Sequence, residues 1–93
     1  MNELLEPIKL FTLEEALPCY GHGRSSHYSR IKKGETVPPV AIGPRGRRYP
    51  TDEIRILQKA IIAGVSKQEL RALVAKLVAA RKFKYEGATW DVA

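Results

Sequence analysis

The sequence predicts a small, mainly α-helical domain with a β-hairpin wing, ordered as a winged helix-turn-helix and extended by one further helix. Three observations predict it. Two capping boxes, Thr12-Leu13-Glu14-Glu15 and Ser66-Lys67-Gln68-Glu69, open helices in the first and last thirds of the chain. A basic, serine-rich stretch lies between Gly23 and Gly34. After it, Pro38 and Pro39 exclude helix from a segment in which Val40, Ile42 and Tyr49 flank the turn-forming run Gly43-Pro44-Arg45-Gly46-Arg47.

The first helix starts where Thr12 can accept from the Glu15 N–H, and Leu13, Ala16 and Leu17 give it a short apolar face. Pro18 lacks a donor and clashes in a helix interior, so the helix is expected to be brief or kinked there. Gly21 and Gly23 bracket a turn. On a helix over residues 24–33, His27 and Ile31 share one face, with Arg24 and Tyr28 at its edge. Ser25, Ser26, Ser29, Arg30 and Lys33 point the other way, and Gly34 supplies the residue that ends the helix. A short hairpin with a basic tip follows.

Helix returns at Thr51, where Asp52 and Glu53 suit the positive end of the helix dipole. Ile54, Leu57 and Ile61 fall at helical spacing beside Ala60, and Gly64 closes the segment. From Ser66 a longer helix carries Leu70, Leu73, Val74, Leu77 and Val78 as one stripe. That stripe either packs on Ile54, Leu57 and Ile61 or pairs between subunits, giving a homo-oligomer through residues 66–82. Its charged face holds Lys67, Arg71, Lys76, Arg81, Lys82 and Lys84, a second set of groups able to contact phosphates. The last residues, 83–93, show no period, and Trp90 serves either as a partner anchor or as a cover for the core. The chain thus divides into residues 1–63, a winged helix-turn-helix unit; 64–85, the added helix; and 86–93, a tail.

At 93 residues the chain has room for one core. A single cysteine, Cys19, excludes an intrachain disulfide. Neither a signal peptide nor a run of about 18 apolar residues is present, so the expected location is the cytoplasm, with no membrane partner. The net charge of +6 is uneven. Residues 1–20 carry one Lys against four Glu, whereas residues 21–50 carry seven Arg and Lys against Glu35 alone. Such a concentrated positive field suits either a polyanionic partner or a solvated, solubilising surface, and the residues that carry it decide between them in favour of double-stranded DNA.

A helix entering the major groove needs small polar residues that let its backbone approach, with Arg or Lys to meet base edges and phosphates. Arg24, Ser25, Ser26 and Arg30 fit base reading or register, and Ser29 lies on the same outward face. Tyr28, Lys32, Lys33, Arg45, Arg47 and Arg48 fit phosphate holding, the last three from the hairpin. Other chemistries fit less well. Gly43-Pro44-Arg45-Gly46-Arg47-Arg48 lacks the Lys-Ser/Thr of a phosphate-binding loop. Cys19, His22 and His27 lack a fourth ligand for zinc. Ser25, Ser26 and His27 are neighbours in sequence, which does not make a catalytic arrangement. The expectation is therefore no enzyme activity, no metal and no cofactor.

The same residues resemble the AlpA-like group of phage and genomic-island regulators, within the MerR-like winged-helix class that includes excisionases. Leu13 and Glu14-Glu15 match its first helix, and Gly21 its turn. Arg24-Ser25-Ser26, Tyr28 and Ile31 match its reading helix, which ends at Gly34. Pro38-Pro39-Val40, Ile42 and Gly43 match the entry to its wing, Tyr49 the closing aromatic, and Glu53-Ile54 the next helix. The likeness covers residues 9–59. It departs at His27 and Arg30, where the group tends to carry leucine, and at Gly23, where it tends to carry a capping serine. The resemblance implies sequence-specific DNA binding on a mobile element, as an excisionase partnering an integrase or as a transcriptional regulator. Alternatives are the small DNA-recognition subunit of a phage packaging terminase, or a protein–protein adaptor such as an antirepressor.

Overall fold

The computed structural model describes residues 7–86, with side chains through Lys82. Its elements in chain order are β1 (Leu10–Phe11), α1 (Leu13–Tyr20), α2 (Arg24–Lys32), β2 (Val40–Ile42), β3 (Gly46–Pro50), α3 (Thr51–Ala63) and α4 (Lys67–Glu86). The three strands form a small antiparallel sheet in the order β1-β3-β2. No described helix is long and apolar enough to cross a membrane.

Local chemistry starts and stops most of the helices. Thr12 Oγ1 accepts from the Glu15 N–H at 3.3 Å, and Glu15 Oε1 accepts from the Thr12 N–H at 2.8 Å, completing the expected capping box. The same exchange joins Ser66 and Glu69 ahead of α4. Helix α2 closes at Gly34, whose φ of 75° carries the chain out of the helix. There the Gly34 N–H reaches the Ile31 carbonyl and the Glu35 N–H the Arg30 carbonyl, a Schellman motif. Helix α3 ends in the same way at Gly64.

Helix α1 is brief, as Pro18 predicts. It passes through Pro18 and continues to Tyr20, where Gly21 closes it by donating to the Leu17 carbonyl. Two tertiary contacts offset the missing Pro18 donor: the Tyr20 ring is buried, and Gln58 Nε2 on α3 donates to the Cys19 carbonyl at 3.0 Å.

The hairpin pairs Val40 with Arg48, Ala41 with Arg47 and Ile42 with Gly46. Its loop is Gly43-Pro44-Arg45, so Arg45 stands at the tip whereas Arg47 and Arg48 belong to β3. The basic tip that the sequence predicts is thus Arg45. Gly46 is required by space, because a Cβ there would come within 2.4 Å of the Ile42 carbonyl oxygen. Strand β1, which the sequence did not announce, pairs Phe11 with Tyr49 and Leu10 with Pro50. Lys9 extends this edge by exchanging bonds with Thr51.

One core joins α1, β3, α3 and α4: Ala16, Tyr20, Val37, Tyr49, Ile54, Leu57, Leu70, Val74 and Leu77 are buried together. Burying a side chain such as Leu57 contributes roughly 1.5–3 kcal/mol. The stripe on α4 is therefore used within the chain, although Val78 at its edge is 37% exposed. Ile61, expected on the buried face of α3, is 43% exposed. Helix α4 runs to Glu86, beyond the expected start of the aperiodic end at residue 83. Trp90 lies outside the described residues.

Candidate nucleic-acid interface

Helix α2 is the least embedded of the four. Of its residues only His27 is fully buried, while Arg24, Ser25, Ser26, Tyr28, Ser29 and Lys32 are exposed, as is Lys33 at its C-cap. Arg30 departs from expectation. It is half-buried rather than fully outward, and burial followed by the Arg30 charge keeps the His22 pKa below its ordinary value.

His27 holds the helix in place. Its Nδ1 lies 2.9 Å from His22 Nε2 in the turn, and its Nε2 lies 3.1 Å from the Tyr49 hydroxyl on β3. Tyr20 of α1 stacks on both histidines, at 5.3 Å from His22 and 5.7 Å from His27 between ring centroids. This polar ring cluster binds α1, the turn, α2 and β3 together. Burial, and then the neighbouring His22, push the His27 pKa down to about 4, so it is neutral at physiological pH. Burial pushes the Tyr20 hydroxyl up to about 12. That His27 and Ile31 share a face was legible from their spacing of four; the partners of His27 were not.

Through the His27–Tyr49 contact, α2 sits against the strand that carries the hairpin. Tyr28 presents its ring edge-on to His27 at 6.1 Å and remains 51% exposed. On the hairpin, Arg45 and Arg47 are exposed and Arg48 is half-buried. Arg47 donates to the Gly46 carbonyl and Arg48 to the Arg47 carbonyl. Alternation along β3 sends Arg47 and Arg48 to opposite faces.

Arg24, at the first position of α2, is not a free cation. Its guanidinium donates to Glu14 Oε2 on α1 at 2.7 Å, with both side chains largely exposed. The bond holds the Glu14 carboxyl below, and the Arg24 guanidinium above, their ordinary pKa values.

The charged face of α4 is only partly available. Arg81 forms two bonds to the Glu53 carboxylate, at 2.8 and 2.7 Å, and a third to the Pro38 carbonyl at 2.7 Å. Arg71 donates to Glu35 at 3.1 Å. Both therefore tie α4 to the rest of the chain. Glu53 lies in the first turn of α3, where the dipole favours an acidic group, and is also a 1% exposed ion-pair partner. Lys67, Lys76 and Lys82 remain exposed.

Chemically, the α2 side offers hydroxyls, a phenol and cations to a ligand rich in acceptors. No group of three or more His, Cys, Asp or Glu able to hold a metal ion occurs among the described residues. No protein-family model, curated protein or solved structure matches the chain.

Proposed function

We propose that the protein binds double-stranded DNA sequence-specifically through a winged helix-turn-helix, with α2 in the major groove and the β2–β3 hairpin against the backbone or minor groove. One observation carries the reading. The basic helix is held by a single fully buried side chain, His27, which leaves its serines, Tyr28, Lys32 and Lys33 open to a ligand. The same histidine seats it against the strand leading to Arg45 and Arg47. A solvated connector needs no such seat.

Arg24, Ser25, Ser26 and Arg30 meet base edges or set register, and Ser29 lets the backbone approach. Tyr28, Lys32, Lys33, Arg45, Arg47 and Arg48 hold phosphates. By occupying or bending its site the protein serves a recombinase or a polymerase, as an excisionase or transcriptional regulator of a mobile element. With the apolar stripe of α4 spent inside the core, its residues 66–82 support packing better than they support a homo-oligomer.

The test is selection from a random duplex pool followed by salt titration. Arg24→Ala should relax base preference, by roughly five- to a hundredfold at the base pair it reads. Arg47→Ala should weaken all sequences alike and reduce the salt slope by about 0.9. An adaptor without DNA function would select no sequence at any ionic strength.

A further inference from the structure

Helix α2 begins without a capping side chain: its N-cap is Gly23, and its first turn holds no acidic residue. Its first residue is instead the cation Arg24, placed where the helix dipole is already positive. The compensating charge comes from another element. Glu14, in the first turn of α1, reaches across to Arg24 at 2.7 Å, and its carboxyl is held below the ordinary range by that bond. Beside the pair a shallow open hollow of about 460 Å³ is lined by Glu14, Leu17, Pro18, Gly21, His22 and Gly23. The pair is thus exposed on the side where α1 and the turn meet α2.

We propose that Glu14 is an autoinhibitory partner of Arg24: it occupies the guanidinium as a DNA phosphate would, and so lowers the affinity of every contact Arg24 makes by about the strength of the pair given up. The inference rests on the DNA-binding reading above and deepens it. Magnitudes decide the outcome. An exposed ion pair changes an equilibrium by no more than about fivefold, much the same as one phosphate contact, so exchanging Glu14 for a phosphate gains almost nothing. A bidentate contact to a guanine edge is worth roughly five- to a hundredfold and outweighs the pair. Glu14 thereby cancels the gain from a random phosphate, while a guanine contact, reduced by the same factor, still exceeds the pair.

The experiment compares wild type, Glu14→Gln, Arg24→Ala and the double variant on short duplexes of random sequence and on immobilised heparin. Glu14→Gln should bind random duplex roughly two- to fivefold more tightly at low salt, steepen the salt slope by about 0.9 and elute later from heparin. None of these gains should survive in the Arg24→Ala background, the mark of action through Arg24. A gain that persists without Arg24 would reduce Glu14 to a general negative charge and overturn the proposal. Weaker binding by Glu14→Gln would overturn it too, since Glu14 would then be orienting Arg24 for the contact. Unchanged heparin retention beside normal duplex binding sinks this inference and leaves the DNA reading intact. Arg24-dependent gain on heparin with no duplex binding by any variant overturns the DNA reading and with it this inference about DNA, leaving Glu14 as a screen of Arg24 from another polyanion.

Discussion

Helices α2 and α4 are both basic, and their cations are used in opposite ways. On α4, Arg71 and Arg81 turn inward to Glu35 and Glu53, and Leu70, Val74 and Leu77 enter the core. On α2, Lys32 and Lys33 stay in solvent, and a single buried histidine makes the main attachment. A positive charge in a sequence thus says little until its partner is known. Cations that meet buried carboxylates fasten the fold, and those that meet none are left for a ligand.

The sharpest break in that comparison is Arg81→Ala. It removes both bonds to a carboxylate that is 1% exposed and strips the Pro38 carbonyl of its donor. Breaking one side of a buried ion pair costs about 3–5 kcal/mol, because the remaining charge has no partner. Urea denaturation should show a loss of that order. A loss under about 1 kcal/mol would mean that Glu53 finds water, and that α4 is held by its apolar residues alone.

What could be read from the sequence follows the same division between local and distant partners. Both capping boxes, the glycine closures at Gly34 and Gly64 and the hairpin around Gly43 were legible because each rests on residues within a few positions of one another. The burial of His27 was half legible, since its spacing from Ile31 gives the face but not Tyr49, twenty-two residues away. Strand β1 was not legible: it is two residues long, and Phe11 exists as strand only because Tyr49 lies beside it. Glu53 stands in the first turn of α3 as the sequence predicts, but its ion pair was not legible, its partner Arg81 being twenty-eight positions on. For the candidate site, the exposed serines and lysines could be read from helical periodicity. The Glu14–Arg24 bond could not, because it joins two helices across a turn whose path the sequence does not specify.

A second prediction separates the two helices by acid. The His27 pKa falls from an ordinary 6.5 to about 4, so the unfolded chain binds this proton more tightly than the folded one. The linked stability is complete above 6.5 and is lost as pH falls toward about 4. His22, lowered chiefly by burial, acts in the same direction. Urea midpoints should therefore decline through this window, and His27→Gln should flatten the decline while lowering stability at neutral pH. Hydrogen exchange should quicken in α2 before α4, whose apolar attachment does not titrate. A flat profile, or simultaneous loosening of both helices, would break the contrast.

The finest discrimination comes from removing one charge at a time from the two surfaces. Lys33 and Arg71 are both exposed, yet Arg71 reaches a Glu35 carboxylate that is only 6% exposed. Arg71→Ala should lower stability by about 1 kcal/mol, since a poorly solvated carboxylate is deprived of its donor. Its effect on the salt dependence of DNA binding should be small, because that charge is already neutralised within the fold. Lys33→Ala should leave stability within about 0.5 kcal/mol of wild type, as surface substitutions do. It should reduce the salt slope by about 0.9, the signature of one phosphate no longer neutralised by the protein. Denaturation and salt titration of the two variants check the pair together. If Arg71→Ala carried the slope change and Lys33→Ala did not, the phosphate-facing surface would be α4, and the roles assigned to the two helices would exchange.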